Sequence, residues 1–298
     1  GAPESLVDLC LDTMVAGWES AGSAYLPHVY HMPHELCARL LKRLVVAGKL
    51  TGFVLSGFLT PAALEVDLTG AATVQNCVFK QLGVSCPSLI HLNLSMCPQV
   101  NNSVVRCVLQ GCSKLRQLYL DGCHRVTDAG FHLQQSPFYV LVGAVSLETL
   151  SVQGCPQVTG SLVLHLRKLC RNLKELNMAR CKSVSGDSLQ RLFDSCPTLE
   201  SLNVSFLETA TEEAFRVLST IFNSETAWLP PLRHLNLGSC GGLTDLGLSR
   251  VGCFRSLESV HLENCLHVTD EGLLALARRC PMLQGVGLGN CGQVRGAC

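Results

Sequence analysis

A repeat with a period near 26 residues fills this chain from about residue 60 onward, and it leaves few folds open. Its clearest copy is Cys170-Arg-Asn-Leu173-Lys-Glu-Leu176-Asn-Met178-Ala-Arg-Cys181. With position zero at the first cysteine, equivalent units begin at Thr60, Cys86, Cys112, Ala144, Cys170, Cys196, Leu229, Phe254 and Cys280. The spacings are 26, 26, 32, 26, 26, 33, 25 and 26 residues. Leu or Ala fills position +3, Leu or Val position +6, and Leu, Val or Met position +8 in every unit. Position +11 is Cys in seven of the nine units, with Ala71 and Leu207 in the others.

The step of two between +6 and +8 places both side chains on one face of a short strand. The apolar pair at +19 and +22 (Leu189/Leu192, Leu248/Val251, Leu273/Leu276) has helical spacing. Thr-Asp pairs at 127–128, 244–245 and 269–270 stand where an N-cap belongs. Each unit therefore reads strand, turn, helix, return. One such unit cannot bury its apolar face alone, so neighbours must stack into a solenoid. The expected fold is α/β: a parallel sheet on the concave side and helices on the convex side.

These columns resemble the cysteine-containing leucine-rich repeat of F-box leucine-rich proteins and of relatives of the antagonist of mitotic exit network. The resemblance covers residues 60–298 and implies a horseshoe-shaped leucine-rich-repeat solenoid of about nine units over 49–298. The ninth stops at Cys298 before its helix, so further chain is expected beyond it.

The cysteine count needs the register to be read correctly. Eighteen cysteines in a short secreted chain would suggest a disulfide framework. Here twelve of them occupy positions zero and +11, where a free thiol acts as a small buried apolar group. Parallel rows of identical positions do not by themselves give disulfide vectors. Reduced thiols imply a reducing compartment, the cytoplasm or nucleus. The N-terminus lacks a basic n-region, so no secretory signal is predicted, and every long apolar run is broken by charge, so no membrane span is predicted.

Residues 1–48 precede the repeats and are predicted to form a separate helical module. Leu6, Leu9, Cys10, Thr13 and Met14 lie at helical spacing and give one apolar face. A second helix is predicted from Met32-Pro33 to a C-cap at Gly48. Ser5-Leu6-x-x-x-Cys10-x-x-x-Met14 resembles a BC box, the helix that docks substrate receptors on elongin C. Met14 stands where that family has a smaller or branched aliphatic residue. Met32-Pro33-x-x-Leu36-x-x-x-Leu40 resembles a cullin box of the two type. The two boxes in this order, ahead of leucine-rich repeats, resemble the VHL-box module of the Zyg/Zer class of ubiquitin-ligase receptors. That class carries an armadillo-type degron-binding domain after its repeats, and no such segment follows here. The resemblance implies elongin B/C as a partner through Leu6, Leu9, Cys10 and Met14, and a cullin through Met32, Pro33, Leu36 and Leu40. Two alternatives remain. Met-Pro-x-Glu-Leu also resembles the opening of an F-box, which binds a Skp adaptor, and both helices can simply cap the end of a non-ligase scaffold.

Positions +5, +7 and +9 of each strand point away from the core, onto the concave face. Among them five are acidic (Glu65, Asp67, Asp121, Glu175 and Glu263) and none is Lys or Arg. Since Lys+Arg and Asp+Glu are both 23 in the whole chain, that face carries a local negative field and suits a neutral or basic protein partner. Its candidate contact residues are these five with His91, Tyr119, His234 and His261. Tyr119, flanked by carboxylates, is the strongest anchor. The absence of a basic stripe argues against nucleic acid as a partner. Two longer units carry insertions near 131–143 and 221–231, expected on one rim.

Three features look like chemistry and fail on spacing. Gly285-x-Gly287-x-Gly289 has Asn290 where a dinucleotide fingerprint needs glycine, and its glycines are outward strand positions. His28, His31, His34 and Cys37 step by three, which rotates ligands around a helix instead of converging them. The two cysteines of the Cys170–Cys181 stretch are repeat positions. The expectation is a non-enzymatic substrate receptor with no catalytic residue, metal or cofactor.

Overall fold

Stacked units need some device to hold their turns together, and the chain supplies three. A computed structural model describes residues 5–18, 29, 31–132, 147–169, 171–181, 184–207 and 229–296. They fall into two compact units, Gly1–Ser146 and Leu147–Cys298.

The first unit begins with α1 (Leu6–Ala16), α2 (His34–Val46) and α3 (Gly52–Phe58). There follow β1 (Glu65–Asp67), α4 (Asn76–Ser85), β2 (His91–Asn93), α5 (Asn102–Gly111), β3 (Gln117–Tyr119) and a 3-10 turn (Asp128–Gly130). The three strands are parallel and in register, with Val66 beside Leu92 and Leu92 beside Leu118. The second unit holds β4 (Thr149–Ser151), α6 (Leu162–Leu169), β5 (Glu175–Asn177), α7 (Gly186–Ser195) and β6 (Ser201–Asn203). It continues with β7 (His234–Asn236), α8 (Asp245–Val251), β8 (Ser259–His261), α9 (Asp270–Arg279) and β9 (Gly285–Gly287). Its six strands are parallel in chain order, again with the +6 residues side by side.

The expected core columns are the core. Leu92, Leu118, Leu150, Leu68, Leu94, Leu120 and Met178 are fully buried. Leu189, Leu192, Leu248, Val251 and Leu276 close it from the helix side. A further column at +14 (Val74, Val100, Val126, Val158, Val184, Leu243 and Val268) is also fully buried.

The first device is a left-handed residue at +10 in every unit. Gly70, Gly122 and Gly154 take it with φ of 66–79°, and Met96, Arg180, Phe206, Ser239, Asn264 and Asn290 take it near 60°. The twist lets the +11 N–H reach back to the +8 carbonyl, as in Cys123 to Leu120 at 3.1 Å. It also lets the +10 N–H reach the next unit, as in Arg180 to Ser205 at 3.0 Å. Glycine adopts this conformation without strain and asparagine more readily than most residues.

The second device is the +11 thiol. Cys97 donates to the Leu68 carbonyl at 3.0 Å, Cys123 to Leu94 at 3.2 Å, Cys181 to Val152 at 3.2 Å, Cys265 to Leu237 at 3.3 Å and Cys291 to Leu262 at 3.0 Å. Each bond ties one unit to the unit before it. All sixteen cysteines among the described residues carry free thiols; Cys170 and Cys298 lie outside them.

The third device joins helix starts. Thr127, Thr244 and Thr269 cap their elements as expected. The Asp245 carboxylate, one residue past its cap, accepts the N–H and hydroxyl of Thr269 in the next unit at 2.8 and 2.6 Å. Asp270 accepts the Arg295 N–H at 3.2 Å in the same way.

Sequence periodicity did not indicate α3. Its seven residues include Gly52, Ser56 and Gly57, too short and too weak in propensity to show a helical pattern. Thr51 caps it through the Val54 N–H, and it packs on α4 as one repeat helix packs on the next. The array therefore starts with a helix one unit earlier than the strand pattern does. The insertions near 131–143 and 221–231 lie almost wholly outside the described residues.

Candidate functional site

Two surfaces emerge from the first unit, and a third belongs to the second unit. The first is α1. Ser5 caps the helix by accepting the Asp8 N–H at 3.2 Å, and its hydroxyl donates to the Asp8 carboxylate at 2.7 Å. The inward side of α1 carries the buried Leu11 together with Asp8 and Asp12. Arg39 and Arg43 of α2 both bond the Asp8 carboxylate, the latter at 2.5 Å, and Arg43 also bonds Asp12 at 2.7 Å. The Ser5 hydroxyl and the two guanidinium groups hold the Asp8 carboxyl far below the usual carboxylate range. Lys49 donates to the carbonyls of Val15 and Ala16 at 3.0 and 3.3 Å, a cation at the C-terminus of α1. The C-cap of α2 is Ala47, one residue before the predicted Gly48, which at φ 67° turns the chain out of the helix, with Gly48 N–H on the Val45 carbonyl and Lys49 N–H on that of Leu44.

With its polar side pinned, α1 turns its apolar side outward. Leu6 is 77% exposed and Leu9 55%, Cys10 is exposed, and Met14 is half-buried. An apolar stripe that finds no cover among the described residues of its unit is unusual for a surface helix. The cullin-box positions divide. Met32 and Leu36 are half-buried and Pro33 is exposed. Leu40, expected on the docking surface with them, is completely buried beside Leu41 and Leu44. That expectation is corrected: Leu40 holds α2 on the core and is not available to a partner.

The second surface is the sheet face opposite the helices of the first unit. The His91 and Tyr119 rings lie 5.3 Å apart at 42°, and the His91 Nδ1 is 2.8 Å from Gln117 Oε1. Glu65 is exposed at the start of β1, and Asp121 is half-buried just past β3. Asp67 is already engaged. Its Oδ1 accepts the N–H and the hydroxyl of Thr69 at 3.0 and 2.6 Å, and Lys42 Nζ lies 4.0 Å from Oδ2. The same turn recurs at Asn93, Asn177, Asn203 and Asn236, each accepting the N–H two residues on at 2.9–3.1 Å. Position +7 thus does structural work that the strand alternation did not reveal. The signal was present as an Asx residue recurring at +7.

The third surface is the equivalent sheet face of the second unit. Glu175 and His234 are exposed, and His234 Nδ1 is 2.8 Å from the Ser259 hydroxyl. His261 Nδ1 is 3.1 Å from Glu263 Oε1. Partial burial opposes ionisation of Glu263, but the hydrogen bond from His261, the residue's own backbone N–H and the charge of His261 together outweigh it, and the carboxyl sits below its ordinary range. Gly287 leaves room for this pair, since a Cβ there would lie 2.1 Å from Glu263 Oε1. Thr149 and Ser151 are buried, so β4 contributes little outward surface. At the edge of this face the Arg180 guanidinium lies 4.1 Å above the Phe206 ring, a pairing that the repeat columns did not suggest.

A family model described as leucine-rich repeat matches residues 229–252 and 255–277, which lie on β7, α8, β8 and α9. The fold is a leucine-rich-repeat solenoid. Among solved structures, the chain is similar to one in the crystal structure of the Rad7 and Elc1 complex in yeast. The two are 17% identical, with 97% of this chain and 88% of that chain covered and a TM-score of 0.46. Among the described residues no group of three or more His, Cys, Asp or Glu side chains is placed to hold a metal ion. No helix among them is long and apolar enough to cross a membrane.

Proposed function

We propose that this chain is the substrate-recognition subunit of a cullin-RING ubiquitin ligase, docked on elongin B/C by α1 and on a cullin of the two type by the start of α2. The observation that carries the reading is the orientation of α1. Asp8, Leu11 and Asp12 fix one side to the protein, and Leu6, Leu9 and Cys10 stand free on the other. A pinned helix with an open apolar stripe is what helix-in-groove recognition requires of the inserted partner. Met32, Pro33 and Leu36 supply the accessible part of the cullin-facing surface, without Leu40. The sheet faces, with Tyr119 and Glu65 in the first unit and Glu175, His261 and Glu263 in the second, would hold a neutral or basic protein substrate. The chain itself performs no catalysis in this reading. Ubiquitin transfer belongs to other subunits, and the receptor contributes proximity. Free buried thiols suit the cytoplasm or nucleus as its compartment.

The test is co-purification of the chain with elongin B/C, with a Skp adaptor offered in parallel. Wild type is expected to retain elongin B/C, and Leu6→Ser and Cys10→Ser to lose it. Retention by both variants would refute docking through α1. Retention of the Skp adaptor instead would assign the helices to an F-box.

A further inference from the structure

A cavity of about 430 Å³ lies between α2, α3 and β1, apart from the stripe on α1. That volume falls in the range of roughly 300–1,000 Å³ found for sites that enclose a ligand. Its floor is apolar and buried, formed by Val29, Leu41, Phe58, Ala63 and Val66. Half-buried Cys37 and Ala38 form one wall. The Cys37 thiol lies 3.4 and 3.6 Å from the Val29 and Met32 carbonyls, which ties these two residues to α2.

The rim has a different character. Glu35 and Glu65 are both exposed on it, and neither has an ion-pair partner among the described residues. Arg39, on the same rim, is already bonded to Asp8. An apolar floor below two unmatched carboxylates favours a ligand with a bulky apolar group and a cation beside it. Glu65 is also the first outward residue of the β1–β3 face, in register with His91 and, beyond it, Gln117. A chain extended along that face would reach the mouth of the cavity.

We infer that the cavity is the anchor site for a protein segment in which a large apolar side chain is followed by Lys or Arg. The apolar side chain fills the floor and the cation meets Glu35 and Glu65. The inference rests on the sheet face being the partner-binding surface, and it narrows that partner to one sequence class.

The test uses fluorescein-labelled Gly/Ser decapeptides carrying Phe-Arg-Lys, Ala-Arg-Lys or Phe-Asp-Glu at the centre, titrated by fluorescence anisotropy against the whole chain. Phenethylammonium is titrated by calorimetry as a small-ligand control. The Phe-Arg-Lys peptide is expected to saturate and the other two to bind at least about tenfold more weakly. Ala38→Phe, which fills the cavity, and Glu35→Lys, on its exposed rim, should each weaken the Phe-Arg-Lys peptide at least about tenfold. A melting curve checks that Ala38→Phe is folded, and if it is not, Glu35→Lys decides alone. Tyr119→Ala and Asp121→Lys separate this inference from the reading beneath it. Loss only in those two variants leaves the sheet face binding and removes the cavity anchor. Loss only in the cavity variants keeps the anchor and removes the sheet face. No saturation by the Phe-Arg-Lys peptide, or phenethylammonium binding as tightly as the peptide, overturns the assignment to a protein segment.

Discussion

Cysteine recurs at +11 because that site asks for three properties together: small volume, an apolar body and one donor. The column was plain in the sequence, and packing explained it there. The donor role was not legible, because the accepting carbonyl belongs to the preceding unit and a thiol is a weak donor. Cys97→Ala loses the bond to the Leu68 carbonyl and leaves a small void. It should cost about 1–2 kcal/mol in urea unfolding, with Cys97→Ser recovering part of that through its hydroxyl. Accessibility gives a second measure of the same column. Burial pushes the Cys97 thiol up to about 11 and the Cys112 thiol up to about 12, whereas Cys10 and Cys77 are exposed. Iodoacetamide at neutral pH should modify Cys10 and Cys77 first and reach Cys97 and Cys112 only on unfolding, as read by mass spectrometry of timed aliquots. Equal rates at all four would contradict the burial. Asp67 teaches the converse lesson. It was legible as an outward charge, but it also closes its own turn, so Asp67→Asn removes the charge and keeps the hydrogen bond that a lysine would break.

At the scale of the element, α1 shows how far spacing alone reaches. The apolar stripe was readable from Leu6, Leu9 and Cys10. Its ion pairs were not, since Arg39 and Arg43 stand 31 and 35 residues from Asp8 in the chain. These pairs make the attachment of α1 depend on acid. The Asp8 carboxyl is depressed in the folded chain from an ordinary value of 3.8, so the attachment is fully present above that value and weakens as pH falls below it. Trp18, 4% exposed and two residues past the end of α1, reports the change when Trp228 is replaced by Phe. Its emission should be constant from pH 7 to about 5 and shift red below about 4, and Arg43→Ala should move that shift to higher pH. An emission maximum that ignores Arg43→Ala would show that the pairs do not hold the helix. The joint between α8 and α9 is tighter still. A Cβ on Gly272 would lie 2.2 Å from Asp245 Oδ1, the atom that accepts the Thr269 N–H. Gly272→Ala should therefore lower stability by about 1–3 kcal/mol, even though alanine favours helix. A gain in the urea midpoint would mean that the Asp245 link contributes nothing.

For the molecule as a whole, a repeat array divides labour by surface. Interior columns, the +7 turn residues and the buried side of α2 maintain the stack, while the remaining strand-face positions and the exposed side of α1 are free to vary without touching it. The period made the fold readable over most of the chain, because identical positions must meet identical neighbours. It said nothing of α3, of the cavity under α2, or of which way α1 faces, since those depend on contacts made once and not repeated. The same division predicts that docking and stability separate. Leu6 is 77% exposed and Cys10 is exposed, so Leu6→Ser and Cys10→Ser should leave the unfolding free energy of the free chain, read from urea unfolding, unchanged within about 0.5 kcal/mol. Leu40 is fully buried on the neighbouring helix, and Leu40→Ser should cost several kcal/mol by opening a void and stranding a hydroxyl. Elongin B/C should be lost in the first two while the Phe-Arg-Lys peptide binds them as wild type. Leu40→Ser should lose both together with its fold. A stripe variant that lost the peptide along with the adaptor would place α1 inside the substrate site instead of outside it, and the arrangement of one surface for the ligase and another for the target would have to be abandoned.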